Sequence, residues 1–267
     1  VCGSAVKENE NISLWVFRVN LDVIQQFKAE GITDLILDLR FNNGGSVELA
    51  RYLAASIAGT SHRSDVFMRM QRNSGADEYI RFGDGDDLNL KSVRIICSEE
   101  TASASELIIS GLRGIDFPVK LFGSRTEGKN VGMEVQEYKY GNKYYEFAPI
   151  TFRSFNAKDW GDYADGIDPN VMLNNQNSSY EDDIDNVFPY AFGDWDNFDF
   201  NYPLYWALCD VQGVDPTTGE PVKRSGRAGL TRSSKDEIIR VPSVPLKRPA
   251  GTFGSLIYNK PEVENLY

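Results

Sequence analysis

The sequence predicts an α/β fold, on the strength of two places where the apolar spacing changes from strand to helix. Residues 32–39, with Ile32, Leu35, Ile36, Leu37 and Leu39, read as a buried strand, and after the turn Phe41-Asn42-Asn43-Gly44-Gly45 apolar side chains recur at helical spacing over 46–58. The same switch occurs again at 93–97. There Val93, Ile95 and Cys97 alternate, Glu99-Glu100-Thr101 breaks the pattern, and from Ser103 onward Leu107, Ile108 and Leu112 share one side up to Gly114, a helix stop. With 267 residues the chain can bury a sizeable core in one large domain, or in one domain with an appendage.

The elements follow in order. Residues 1–11 are polar, 12–19 read as a strand, and 21–30 as a helix with Val23, Ile24 and Phe27 inward and Gly31 closing it. In the helix over 46–58, Leu49, Tyr52, Leu53 and Ile57 are expected on the apolar side. Short strands fill 63–91, with a hairpin expected at the Gly-Asp-Gly-Asp-Asp run 83–87. Those carboxylates lack the glutamate-closed spacing of a calcium loop and are read as a solvated turn. Residues 131–140 alternate like one strand, Gly141-Asn142 turns it back into 143–148, and 149–155 continue the β structure. Residues 180–200 alternate acids with aromatics, a packed loop or a ligand-binding aromatic patch. A closing helix is expected at 201–212, with Pro203 in its first turn. Beyond Gly213 the composition shifts to Pro, Gly, Ser and Arg, an extended tail in which 238–241 and 253–258 could dock as strands. The expected division is a catalytic domain over 1–212 and an extension over 213–267.

Composition excludes several functions. A net charge of −11 argues against a general binder of nucleic acid or anionic membranes. No apolar run approaches the roughly 20 residues of a membrane-spanning helix. Cys2, Cys97 and Cys209 match no zinc spacing, and Cys97 is expected as a small buried hydrophobe. No metal or cofactor is expected. His62, in a polar loop, is the single histidine, so a Ser-His-Asp triad would have to recruit it.

Ser103 is the residue with chemistry in view. At a strand-to-helix junction its hydroxyl sits on a tight turn, beside the unpaired N–H groups of a helix's first turn, which suits a nucleophile that generates an oxyanion. The plainer reading is that Thr101, Ser103 and Ser105 are N-cap candidates.

Three blocks give Ser103 further meaning: Leu35-Ile36-Leu37-Asp38-Leu39-Arg40-Phe41-Asn42-Asn43-Gly44-Gly45, Thr101-Ala102-Ser103-Ala104-Ser105-Glu106, and Gly123-Ser124-Arg125-Thr126-Glu127-Gly128-Lys129. With Gly166-Ile167-Asp168-Pro169-Asn170 they resemble, in the right order, the C-terminal processing or tail-specific serine peptidases, including the forms common in Bacteroidetes envelopes. The resemblance implies a ββα superhelix of the ClpP and crotonase type. It implies a polypeptide substrate, hydrolysis by a Ser-Lys dyad of Ser103 and Lys129, and an oxyanion hole from the N–H of Ala104 with that of Gly45 or Gly44. It also implies a periplasmic or cell-envelope location, as in envelope lipoproteins. Asp38 and Arg40 are expected to brace the glycine loop, and Glu127 and Glu134 to point away from the lysine. The sequence departs from the family at Met133, where many members place a glutamine, and Gln136 is expected on the opposite face. No upstream peptide-binding module is legible, which reads as a fragment or a trimmed variant. Two other functions stay open: a non-catalytic peptide- or ligand-binding domain on the same scaffold, and crotonase-like acyl-CoA chemistry, for which a Ser-Lys pair has no obvious use.

Overall fold

The computed structural model describes residues 6–7, 12–16, 21–173, 198–218, 221–222 and 239–241. Its main sheet sets seven strands side by side: β1 (Val6–Lys7), β2 (Ile12–Val16), β3 (Asp34–Asp38), β6 (Val93–Cys97), β7 (Val119–Gly123), β12 (Val171–Leu173) and β13 (Ile239–Val241). All neighbours after the β1–β2 pair are parallel, so each needs a crossover. Helix α1 (Leu21–Glu30) joins β2 to β3, α2 (Val47–Ala58) lies between β3 and β6, and α3 (Ala104–Gly114) joins β6 to β7. Each crossover adds its strand on the same side of the last. The fold is the α/β class expected.

Strand alternation explains the layers. Leu35, Leu37, Val93, Ile95, Cys97 and Leu121 share one core cluster with residues of α1, α2 and α3. Their neighbours Ile36, Ile96 and Phe122 point through the sheet to Leu204, Ala207 and Leu208 of α4 (Phe198–Gln212). Burial on both faces is why Leu35-Ile36-Leu37 are apolar without alternation. A second, antiparallel sheet, in the order β5 (Glu78–Arg81), β4 (Val66–Arg72), β11 (Ile150–Phe155), β8 (Val131–Met133), packs on α3. The contact is close: a Cβ on Gly111 of α3 would lie 2.5 Å from the Phe67 ring.

Several expectations need correction. The run 131–140 is two strands, β8 and β9 (Gln136–Tyr140), in different sheets. Gly132 lies against the Phe152 ring and Glu134 pairs with Arg72 at 2.8 Å, which commits β8 to the second sheet, whereas among the described residues β9 pairs only with β10 (Lys143–Phe147) in an exposed hairpin. No hairpin forms at 83–87; the β4–β5 turn falls at 73–77. The acidic stretch is tied instead to the end of α2, where Tyr52 donates to Asp86 at 2.5 Å and the Asp86 N–H donates to Ser56 Oγ at 2.9 Å. Leu49 is 44% exposed, because α2 turns Val47, Ala50, Leu53, Ala54 and Ile57 to the core. Helix α4 begins at Phe198, which places Pro203 inside it and removes the N–H that would bond to Asp199. The strand expected within the tail is β13, parallel to β12. Cys2, residues 180–197 and 253–258 lie outside the described residues.

Candidate active site

Three adjacent parallel strands, β3, β6 and β7, end at the same edge of the sheet, and each is followed by one of the three motif blocks. Loops at the carboxyl ends of parallel strands converge for that reason. The first loop is braced as expected: Arg40 Nε donates to both Asp38 oxygens at 3.0 Å, and the pair is 4% and 2% exposed.

The Ser103 turn is locked onto the glycine loop. Thr101 Oγ1 donates to Leu39 O at 2.8 Å, and the Asn42 carbonyl accepts the Ala102 N–H and the Ser105 hydroxyl, both at 3.1 Å. Thr101 and Ser105, read as cap candidates, therefore hold a neighbouring loop. Ser103 is the N-cap of α3 with φ 61° and ψ −117°, a region costly for a residue with a Cβ. It is wholly buried, and its Oγ has no hydrogen-bond partner among the described residues, Lys129 included. Catalytic hydrogen bonds often tighten only once substrate is bound.

The two glycines differ. A Cβ on Gly44 would lie 2.7 Å from Ser103 Cβ and 2.8 Å from Ala104 N, so Gly44 is the point of closest approach between the loops. Its N–H is taken by Asn42 Oδ1 at 3.0 Å. The N–H groups of Gly45 and Ala104 have no such partner among the described residues. Of the two candidates, Gly45 is the one whose N–H no described residue accepts.

Glu106 links Ser103 to Lys129. Its Oε2 accepts the N–H groups of Ser103 and Lys129, each at 2.8 Å, so those two nitrogens are no more than twice 2.8 Å apart. Its Oε1 accepts the Gly128 N–H at 2.8 Å and the Thr126 hydroxyl at 2.6 Å. Burial pushes this carboxyl above its usual range, against all four bonds. The sequence signal for this role is the capping-box pattern Ser103-x-x-Glu106, which turns a carboxylate back on the helix start.

The Lys129 strap is also clasped from beyond. Gly166-Ile167-Asp168-Pro169-Asn170 lies along it: the Thr126 N–H donates to Ile167 O at 3.2 Å, the Ile167 N–H donates to the Thr126 hydroxyl at 2.7 Å, and Arg125 pairs with Asp168 at 2.6 Å. Burial lowers the Lys129 pKa, opposed by Glu127 and Glu106. Glu134 turns to Arg72 as expected, but Glu127 acts on the lysine after all. Gln136 is exposed on the hairpin and supplies no amide here. Cys97 is buried, its thiol pushed up to about 12 by burial.

His62 is far from this edge. It pairs with Asp65 at 2.7 Å and lines a cavity of about 480 Å³ with Ile115, Asp116 and Phe117, past the end of α3. Eleven residues of helix separate that end from Ser103, roughly 16 Å. No group of three or more potential metal ligands occurs among the described residues.

Comparison with known proteins adds a family. The model of peptidase family S41 matches residues 19–173, more than half of the chain. CtpA-like serine proteases, as they are described, from Staphylococcus aureus strain COL are 25% identical over 178 residues, covering 66% of this chain and 34% of theirs. One from Staphylococcus haemolyticus is 24% identical over 147 residues, 54% of this chain and 28% of its own. The chain thus spans about a third of the length of these curated relatives. A solved structure described as an S41 protease from Bacteroides fragilis NCTC 9343 superposes with a TM-score of 0.63 and 22% identity, over 79% of this chain and 57% of that one, and shares its fold.

Proposed function

Because this chain belongs to peptidase family S41, we propose that it hydrolyses peptide bonds in polypeptide substrates through an acyl-enzyme on Ser103, as a serine endopeptidase of the C-terminal processing type. Neutral Lys129 takes the Ser103 proton as Oγ attacks the scissile carbonyl carbon, and the N–H groups of Ala104 and Gly45 hold the oxyanion that forms. The lysine ammonium then protonates the leaving amine. Water, deprotonated by the same lysine, attacks the ester and releases Ser103 with its proton restored.

The observation that carries this reading is the shared Glu106 oxygen, which makes the Ser103 turn and the Lys129 strap one hydrogen-bonded unit. Catalysis lies in the part of the chain before residue 213, and a periplasmic or cell-envelope location follows from the family resemblance. A fluorophosphonate probe tests the chemistry: Ser103 should be labelled, and Ser103→Ala should abolish both labelling and peptide cleavage. A non-catalytic binding domain is the second reading, favoured by Met133 and by the unbonded Ser103 Oγ. Absence of labelling in a folded protein would decide for it.

A further inference from the structure

We propose that Ser154 and Tyr163 are positioning residues for Lys129, holding its strap from the side of the second sheet. This rests on Lys129 being the base. Ser154, in β11, donates its N–H to the Asn130 carbonyl at 2.9 Å, and its Oγ lies 3.1 Å from the same carbonyl oxygen and 3.0 Å from Tyr163 Oη. Asn130, Ser154 and Tyr163 are 5%, 1% and 2% exposed.

The proton order in this column is fixed by chemistry. A carbonyl oxygen only accepts, so the Ser154 hydroxyl proton points to Asn130, and the phenol of Tyr163 must donate to Ser154 Oγ. Burial raises the Tyr163 pKa, with Glu106 adding to it against the Ser154 bond and Arg153, so the phenol keeps its proton across the working range. Lys129 is thereby fixed at both flanks: its own N–H by Glu106, and the carbonyl of the next residue by Ser154. Asn130 Nδ2 adds a bond to Gly161 O at 2.5 Å.

Holding the backbone on both sides of Lys129 keeps its side chain partly out of water, and burial is the first cause of its lowered pKa. The charges acting on it are Glu127, on the strap, and Glu106, on α3; Glu134 of the β8 end is engaged by Arg72 of β4. A loosened strap would hydrate the ammonium and leave less neutral lysine at a given pH.

The test is kcat/KM against pH on a peptide substrate for the whole chain and two variants, with thermal melts alongside. In Ser154→Ala, kcat near neutral pH should fall on the order of 10- to 100-fold with KM little changed, the scale of a small misplacement of a catalytic group. The rising limb should move to higher pH, so that part of the loss is recovered in alkali. Tyr163→Phe should shift the limb the same way but less, because both Ser154 bonds to Asn130 survive. If Ser154→Ala does not fold, Tyr163→Phe, which removes a single oxygen, carries the comparison. Lower melting temperatures with an unmoved limb would overturn the inference and leave a purely structural role. Lys129→Arg in the same assay separates the two levels: if it is inactive while the limbs stay put, only the positioning role fails, and if it is active, the base assignment fails and this inference with it.

Discussion

One carboxylate oxygen of Glu106 accepts the backbone N–H of Lys129 at 2.8 Å while also accepting that of Ser103. Three of the four donors to this side chain are backbone N–H groups, spread over both oxygens, so an amide in its place would set its NH2 against at least one of them whichever way it turned. Glu106→Gln, a near-isostere, should therefore be destabilised by about 1–3 kcal/mol, the cost of a buried polar group left against its own kind. Activity should fall further than stability, because Ser103 and Lys129 lose their common tether. Urea unfolding and peptide cleavage on the same preparation check this; an active, equally stable Gln variant would mean that the carboxylate charge is dispensable.

The two glycines should respond differently. A Cβ at Gly44 meets Ser103 Cβ at 2.7 Å, and at Gly45 it meets nothing within 4 Å, although φ there is +142°. Gly44→Ala should disturb the nucleophile turn, lowering both melting temperature and activity. Gly45→Val should act through the donor, slowing kcat on the order of 10²–10³-fold, the usual loss for one oxyanion contact. The readout is the pair of effects, kcat and melting temperature, for each variant. Equal losses at both positions would argue that the loop is a plain turn.

Ser103 carries strain that glycine would relieve, since its φ of 61° suits a residue without Cβ. Ser103→Gly should be inactive, as should Ser103→Ala, with losses of roughly 10⁴–10⁶-fold. The Gly variant should melt no lower than the Ala variant, despite glycine's greater freedom when unfolded. A calorimetric comparison of the two settles whether the turn is strained in solution.

Lysine titration gives a signed pH effect. Burial sets the folded Lys129 pKa below its unfolded value of about 10.4, so between the two the unfolded chain binds more protons and stability rises with pH. Below that window the whole penalty of the buried charge is present. Lys129→Met should be more stable than the parent near pH 6–7, and the advantage should shrink as pH climbs toward about 10.4. Melting temperatures across that range test it. A gap independent of pH would assign the effect to packing.

The sequence by itself determined the main elements of the parallel sheet and its helices. Apolar runs and glycine stops placed β3, α2, β6 and α3 to within a residue or two, because burial on one or both faces writes itself as period and run length. The likeness of the motif blocks pointed to Ser103, Lys129 and the glycine pair. Only the tertiary structure decided which groups meet. Separation along the chain says nothing of the shared sheet edge that brings residues 44, 103 and 129 together, and alternation alone ran β8 and β9 into one strand, since nothing local records that Gly132 packs on Phe152 while β9 pairs elsewhere. The choice of Gly45 over Gly44 rests on an Asn42 side chain that reaches one N–H and not the other. Glu106 and Ser154 gain their roles from partners more than 20 positions away, and hydrogen bonds at that range leave no periodic trace in a sequence.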